Sequence, residues 1–133
     1  MNKKQESDID QISDDDLLYR RFHRANLRRD GRITYAAYIR RKPPPPIPDS
    51  EISVNLASRT TPEETLAAAQ PIFGLGILRV GDVRKLGFTV RYKPSRNNLA
   101  HCIIEGVKTE ADCARLAEIT RVHTLPPPPE PST

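Results

Sequence analysis

The chain has 133 residues, 37% of them hydrophobic and 29% charged, with no Trp, two Cys and thirteen Pro. That length allows one domain with a modest aliphatic core, no apolar run approaches the ~20 residues of a membrane helix, and the start lacks a hydrophobic signal region. The net charge of +4 is local: residues 19–42 carry nine basic side chains against Asp30, the first 16 residues carry six acids against Lys3 and Lys4, and the remainder balances. A basic field confined to one segment attracts polyanions or an acidic protein surface. A membrane-spanning helix is excluded on these grounds, and the expectation is a soluble, cytoplasmic protein whose Cys102 and Cys113 are reduced core fillers, a disulfide between them being the alternative.

Residues 1–12 read as a disordered acidic tail and 124–133 as a disordered proline-rich one, leaving 13–123 as a single domain. Ser13 and Asp16 have capping-box spacing, and Leu18, Phe22 and Ala25 follow at i, i+4 and i+7, which predicts a helix ending at Asp30-Gly31. Alternation of Ile33, Tyr35, Ala37 and Ile39 then predicts a strand. It is stopped by a polyproline connector over residues 43–48, because proline cannot donate to a ladder. Ile52, Val54 and Leu56 alternate in a second strand. Thr61-Pro62 with Glu64 starts a helix that runs to about Gln70. A short strand over 75–80, one or two helical turns over 81–87, and strands over 88–92 and 99–105 follow. Thr109 and Asp112 repeat the capping-box spacing before a last helix to about Arg121. This mixture without a βαβ rhythm predicts an α+β fold: a small, mainly antiparallel sheet with three to four short helices.

Three features carry candidate chemistry. The first is the basic segment itself: Arg20, Arg21, Arg24, Arg28, Arg29, Arg32, Arg40, Arg41 and Lys42. On the predicted helix Arg20, Arg24 and Arg28 share one face, suited to phosphates or carboxylates, with a solvated face as the plain alternative. The second is the proline run, where Arg40, Pro43 and Pro46 fit the basic-x-x-Pro-x-x-Pro form docked by SH3-type grooves; a stiff connector explains the same residues. The third is His101, which alternation puts on one face with Glu105 as a conceivable acid–base pair, a structural histidine being the alternative. No spacing of His and Cys suits a metal, no nucleotide-binding loop is present, and no cofactor is expected.

Two resemblances qualify this reading. Arg32 or Tyr35, then Ser53, then Glu105 is similar, in order only, to the Arg–Ser–Glu layout of ADP-ribosyltransferases, without a second Ser/Thr at the expected spacing. The segments Ser53-Val-Asn-Leu-Ala57, Thr61-Pro-Glu-Glu-Thr-Leu66, Phe73-Gly-Leu-Gly76 and Ala100-His101 resemble a group of small uncharacterised bacterial proteins. The likeness would cover about residues 18–122, departs at Asn55 and Leu99, implies a bacterial origin and imports no activity. The expectation that results is a non-enzymatic binding or accessory protein whose arginine-rich segment contacts an acidic protein surface or nucleic acid. The alternative is a small enzyme, ADP-ribosyltransferase-like in layout, with a site around His101, Glu105 and Ser53.

Overall fold

The computed structural model describes residues 12–40, 47–48, 51–67, 69 and 71–127. Arg41, Lys42, Pro43 to Pro46 and most of both expected tails lie outside the described residues, so the SH3-type motif does too.

The strands are β1 (Leu17–His23), β2 (Ile39–Arg40), β3 (Ile47–Pro48), β4 (Glu51–Leu56), β5 (Phe73–Arg79), β6 (Thr89–Tyr92), β7 (His101–Glu105) and β8 (Arg121–Thr124). The helices are α1 (Pro62–Ala67), α2 (Val80–Lys85) and α3 (Glu110–Glu118), with 3-10 turns at Arg24–Asn26, Tyr35–Tyr38 and Ala57–Arg59. Six strands form one sheet in the order β6-β7-β4-β1-β5-β8, every neighbouring pair antiparallel; β2 and β3 form a two-residue ribbon. The architecture is α+β, as the mixed pattern predicts.

Leu17 to His23 form the strand β1, not the first turns of a helix. Leu18 and Phe22, four residues apart, satisfy the strand period of two as well as the helical period, so their spacing could not separate the two. The capping-box signal is real but local: Ser13 N–H donates to Asp16 Oδ2 at 2.8 Å, and Asp16 N–H to the Ser13 carbonyl at 3.1 Å, closing a turn that feeds a strand. The strand expected over residues 33–39 is instead a 3-10 turn through Tyr38 with two residues of β2 after it. Ala37 and Tyr38 are both buried, and adjacent residues of a one-sided strand cannot both face the core. The last helix ends at Glu118, and Arg121–Thr124 add β8 at the sheet edge.

One face of the sheet carries the core. Leu18 and Phe22 from β1, Ile52, Val54 and Leu56 from β4, Leu78 from β5 and Cys102 and Ile104 from β7 pack with Cys113 and Leu116 of α3 and with Tyr38. Ile12 belongs to this core at 3% exposure, and Pro126 is buried beyond β8. The fully buried Tyr38 hydroxyl lies 2.7 Å from Thr120 Oγ1, whose own hydrogen goes to the Leu116 carbonyl at 2.6 Å; Tyr38 is therefore the donor. Gly74 and Gly76 leave β5 bare on this side. A Cβ at Gly74 would come within 2.6 Å of the Thr124 carbonyl and 2.7 Å of the Phe22 ring, so glycine is what admits Phe22 and the final segment together.

The opposite face, here the outer face, presents Tyr19, Arg21 and His23 from β1, Ser53 and Asn55 from β4, and His101 and Glu105 from β7, as alternation requires. Thr65 of α1, with Ala69, Ile72 and Phe73, borders it.

Candidate functional site

The strand assignment for β1 disperses the arginine row predicted on a helix. Arg20 turns to the helix side, where its guanidinium donates to the Ser53 carbonyl at 2.8 Å and the Ala37 carbonyl at 2.7 Å, above the Tyr38 ring at 5.2 Å. β1 and β4 share only the pairs Leu18–Leu56 and Tyr19–Asn55, and Arg20 bridges them beyond that point. Arg21 faces the other way, its guanidinium 3.5 Å from the Thr65 carbonyl at the end of α1. Arg24 sits half-buried in a 3-10 turn.

Arg28, Arg29 and Arg32 gather on an exposed hairpin. Leu27 bridges Ile33, Arg28 N–H donates to the Arg32 carbonyl at 2.7 Å, and Gly31 at φ +87° closes the turn, a conformation that favours glycine. The Arg28 and Arg32 side chains are 59% and 80% exposed and share one partner, Asp30, at 3.8 and 3.9 Å. Of the acids just before β1, Asp14 pairs with Arg84 at 2.6 Å and Asp15 with Arg79 at 2.9 Å. Among the described residues the hairpin thus presents three arginines for one aspartate. A cavity of about 720 Å³ lies beside it, lined by Arg28, Arg32, Ile33, Tyr35 and, from α3, Glu118.

A second cavity of about 760 Å³ opens on the outer face between β1, β4, β7 and the α1 region. Ser53 and His101 meet in it: Ser53 Oγ is 3.1 Å from His101 Nε2, and His101 Nδ1 is 2.8 Å from the Lys93 carbonyl. A carbonyl only accepts, so Nδ1 carries a proton; in the neutral ring Nε2 is then an acceptor for the Ser53 hydroxyl. Asn98 Nδ2 donates to Asn55 Oδ1 at 2.8 Å, and Asn55 Nδ2 to Thr65 Oγ1 at 3.2 Å, which fixes the wall beside this pair. His23 Nδ1 accepts from Ala25 N–H at 2.9 Å, so the neutral ring bears its hydrogen on Nε2. Arg20, Arg21 and His23 line the cavity, and no carboxylate does so among the described residues.

His101 and Glu105 share a face but not a site. Glu105 takes Arg91 at 2.9 Å, and Glu51 takes Lys93 Nζ at 3.0 Å, a bond that holds the Glu51 carboxyl below the usual carboxylate range. Arg32 and Tyr35 line the hairpin cavity, Ser53 the outer-face one, so the residues of the Arg–Ser–Glu layout are not brought together. Burial pushes the thiols of Cys102 and Cys113 up to about 11, which keeps both protonated and unreactive at neutral pH. Asn55, Thr65 and Asn98 entered without a sequence signal of their own; for Asn55 the i+2 spacing from Ser53 places it on the same face.

Among the described residues, no cluster of three or more His, Cys, Asp or Glu is placed to hold a metal, and no helix is long and apolar enough to cross a membrane. Comparison of the chain with family models, with curated proteins and with solved structures found no match to any of them.

Proposed function

We propose that this protein works by binding, with the basic hairpin around Arg28, Arg29 and Arg32 contacting an acidic protein surface or nucleic acid. The observation that carries the reading is that exposed turn, whose three arginines have, among the described residues, a single aspartate between them, Asp14 and Asp15 being paired with Arg84 and Arg79. The closed turn fixes the backbone that carries the three arginines, and guanidiniums present fork geometry to carboxylates and phosphates alike. Arg20, Arg21 and Arg24 stand outside this contact, since Arg20 ties strands together and Arg21 borders the outer-face cavity. A bacterial, cytoplasmic setting belongs to the same proposal, the first resting on the sequence likeness and the second on composition.

The test replaces Arg28, Arg29 and Arg32 together by Gln and measures binding to a mixed-sequence RNA and to a polyglutamate peptide at several salt concentrations. For nucleic acid, the slope of log affinity against log salt flattens by about two to three units, one counterion-release increment for each lost phosphate contact. For an acidic protein surface, the association rate falls more than the dissociation rate rises. Binding of both probes with unchanged affinity and salt slope refutes the proposal.

A further inference from the structure

We propose that the outer-face cavity is a hydrolytic site in which Ser53 is the nucleophile and His101 the general base, acting on an ester that bears a carboxylate or phosphate. The inference goes beyond the partner contact and stands on different residues. Ser53 and His101 lie on neighbouring strands of one sheet. Asn55 is the register partner of His101, so Ser53, two residues along, is its diagonal neighbour on the same face. Both therefore ride on a rigid ladder. The nucleophile–base distance is 3.1 Å, and the base is oriented by a third group, the Lys93 carbonyl, at 2.8 Å. That chain of hydroxyl, imidazole and fixed acceptor is the arrangement that activates a serine, here with a main-chain carbonyl holding the imidazolium as it forms. Ser53 is exposed to the cavity, so an acyl carbon can reach it.

The lining selects the substrate. Arg21 and His23 face a space that holds no carboxylate among the described residues, and such a surface favours a negatively charged group and the oxyanion of a tetrahedral intermediate. In the first half-reaction Ser53 Oγ bonds to the acyl carbon while its proton passes to His101 Nε2. Collapse breaks the ester C–O bond, and the leaving alkoxide takes the proton from Nε2. In the second, water bonds to the acyl carbon and gives a proton to Nε2. Collapse then breaks the bond to Oγ, which recovers the proton, and the products are an acid and an alcohol.

A fluorophosphonate probe, read by intact mass and peptide mapping, tests the pair. One equivalent of adduct at Ser53, absent in Ser53→Ala and slowed by about a hundredfold or more in His101→Gln, is the expected result. No adduct at Ser53, or a rate unchanged in His101→Gln, overturns the proposal. If His101→Gln fails to fold by circular dichroism, Ser53→Cys in the native background replaces it. Its thiol should react with iodoacetamide at least about tenfold faster than the thiol of Ser58→Cys on an exposed turn, because only the former has an imidazole to remove its proton. Equal rates overturn the pairing. Inorganic phosphate should protect wild-type Ser53 from the probe, and less so in Arg21→Gln; labelling indifferent to phosphate overturns the anionic substrate class while leaving the arginine hairpin untouched.

Discussion

Replacing Tyr38 by Phe removes one oxygen from the middle of the core and predicts a stability difference that reverses with pH. At neutral pH the loss is that of one buried hydroxyl-to-hydroxyl hydrogen bond, the 2.7 Å contact in which Tyr38 donates to Thr120. Thr120 still donates to Leu116, so its oxygen loses one acceptor bond without being orphaned, and the cost is about 1 to 1.5 kcal/mol. Burial pushes the Tyr38 hydroxyl from the ordinary 10.0 up to about 12, against the smaller lowering effect of its bond to Thr120. The native state therefore keeps the proton over a range in which the unfolded state has released it. Wild-type stability attributable to Tyr38 is intact below pH 10 and falls between about 10 and 12, by about 3 kcal/mol in all. The Phe variant has no such loss. Urea unfolding of both proteins from pH 8 to 12 should show wild type ahead at the low end, equality near pH 11, and the variant ahead above it. The thiols of Cys102 and Cys113 titrate in the same range but are common to both proteins and cancel in the difference. A difference that stays constant across the range would refute the reasoning, for it would mean that Tyr38 ionises in the native state as it does in water.

Thr109 caps α3, accepting from Asp112 N–H at 3.1 Å while Asp112 returns a carboxylate to the Thr109 N–H at 3.2 Å; Thr109→Ala should cost about 1 kcal/mol, read as a lower urea midpoint with an unchanged slope. Thr61→Ala removes the equivalent acceptor of Glu64 N–H, 3.1 Å away, at a six-residue helix; a loss of up to about 1 kcal/mol is expected in the same assay. Gly74→Ala places a methyl 2.6 Å from the Thr124 carbonyl, a backbone atom that cannot swing aside, and should cost about 1 to 3 kcal/mol in thermal or urea unfolding.

Elements with an unambiguous local signature were legible in the sequence, and those decided by partners elsewhere were not. Thr61-Pro62 and Thr109 through Asp112 mark helix starts with side chains that bond their own backbone, and both helices begin there. Ile52, Val54 and Leu56 alternate over a full strand and face the core as expected. Leu18 and Phe22 fit both periods, and what settles β1 is β5, which pairs with all seven of its residues from 50 to 62 positions away in the chain. β8 has only four residues, none of them buried, so the sheet edge it joins defines it. The same division holds at the site. Alternation placed Ser53 on the polar face of its strand and His101 on a half-apolar face of its own, but their meeting depends on β4 and β7 being neighbours in a particular register, and nothing local to either strand encodes that. Charge counting located the arginines correctly and could not reveal that Arg20 is spent on two carbonyls inside the fold while Arg28 and Arg32 stand in water.

The place of β1 in the sheet governs how this chain can acquire its structure. The first strand in sequence lies third from one edge, between β4 and β5, and the two outermost strands are β6 and β8. A ribosome emitting this chain releases β1 long before either neighbour exists. β1 stays without its full-length partner until residues 73–79 have emerged, and the edge beyond β5 stays open until residue 124 is out. Pairings at such separation must close long loops before any contact rewards them, which makes the sheet form late and slowly. Through most of synthesis this segment is without its partner, and the like charges of Arg20 and Arg21 in its middle disfavour the addition of one unfinished copy to the next.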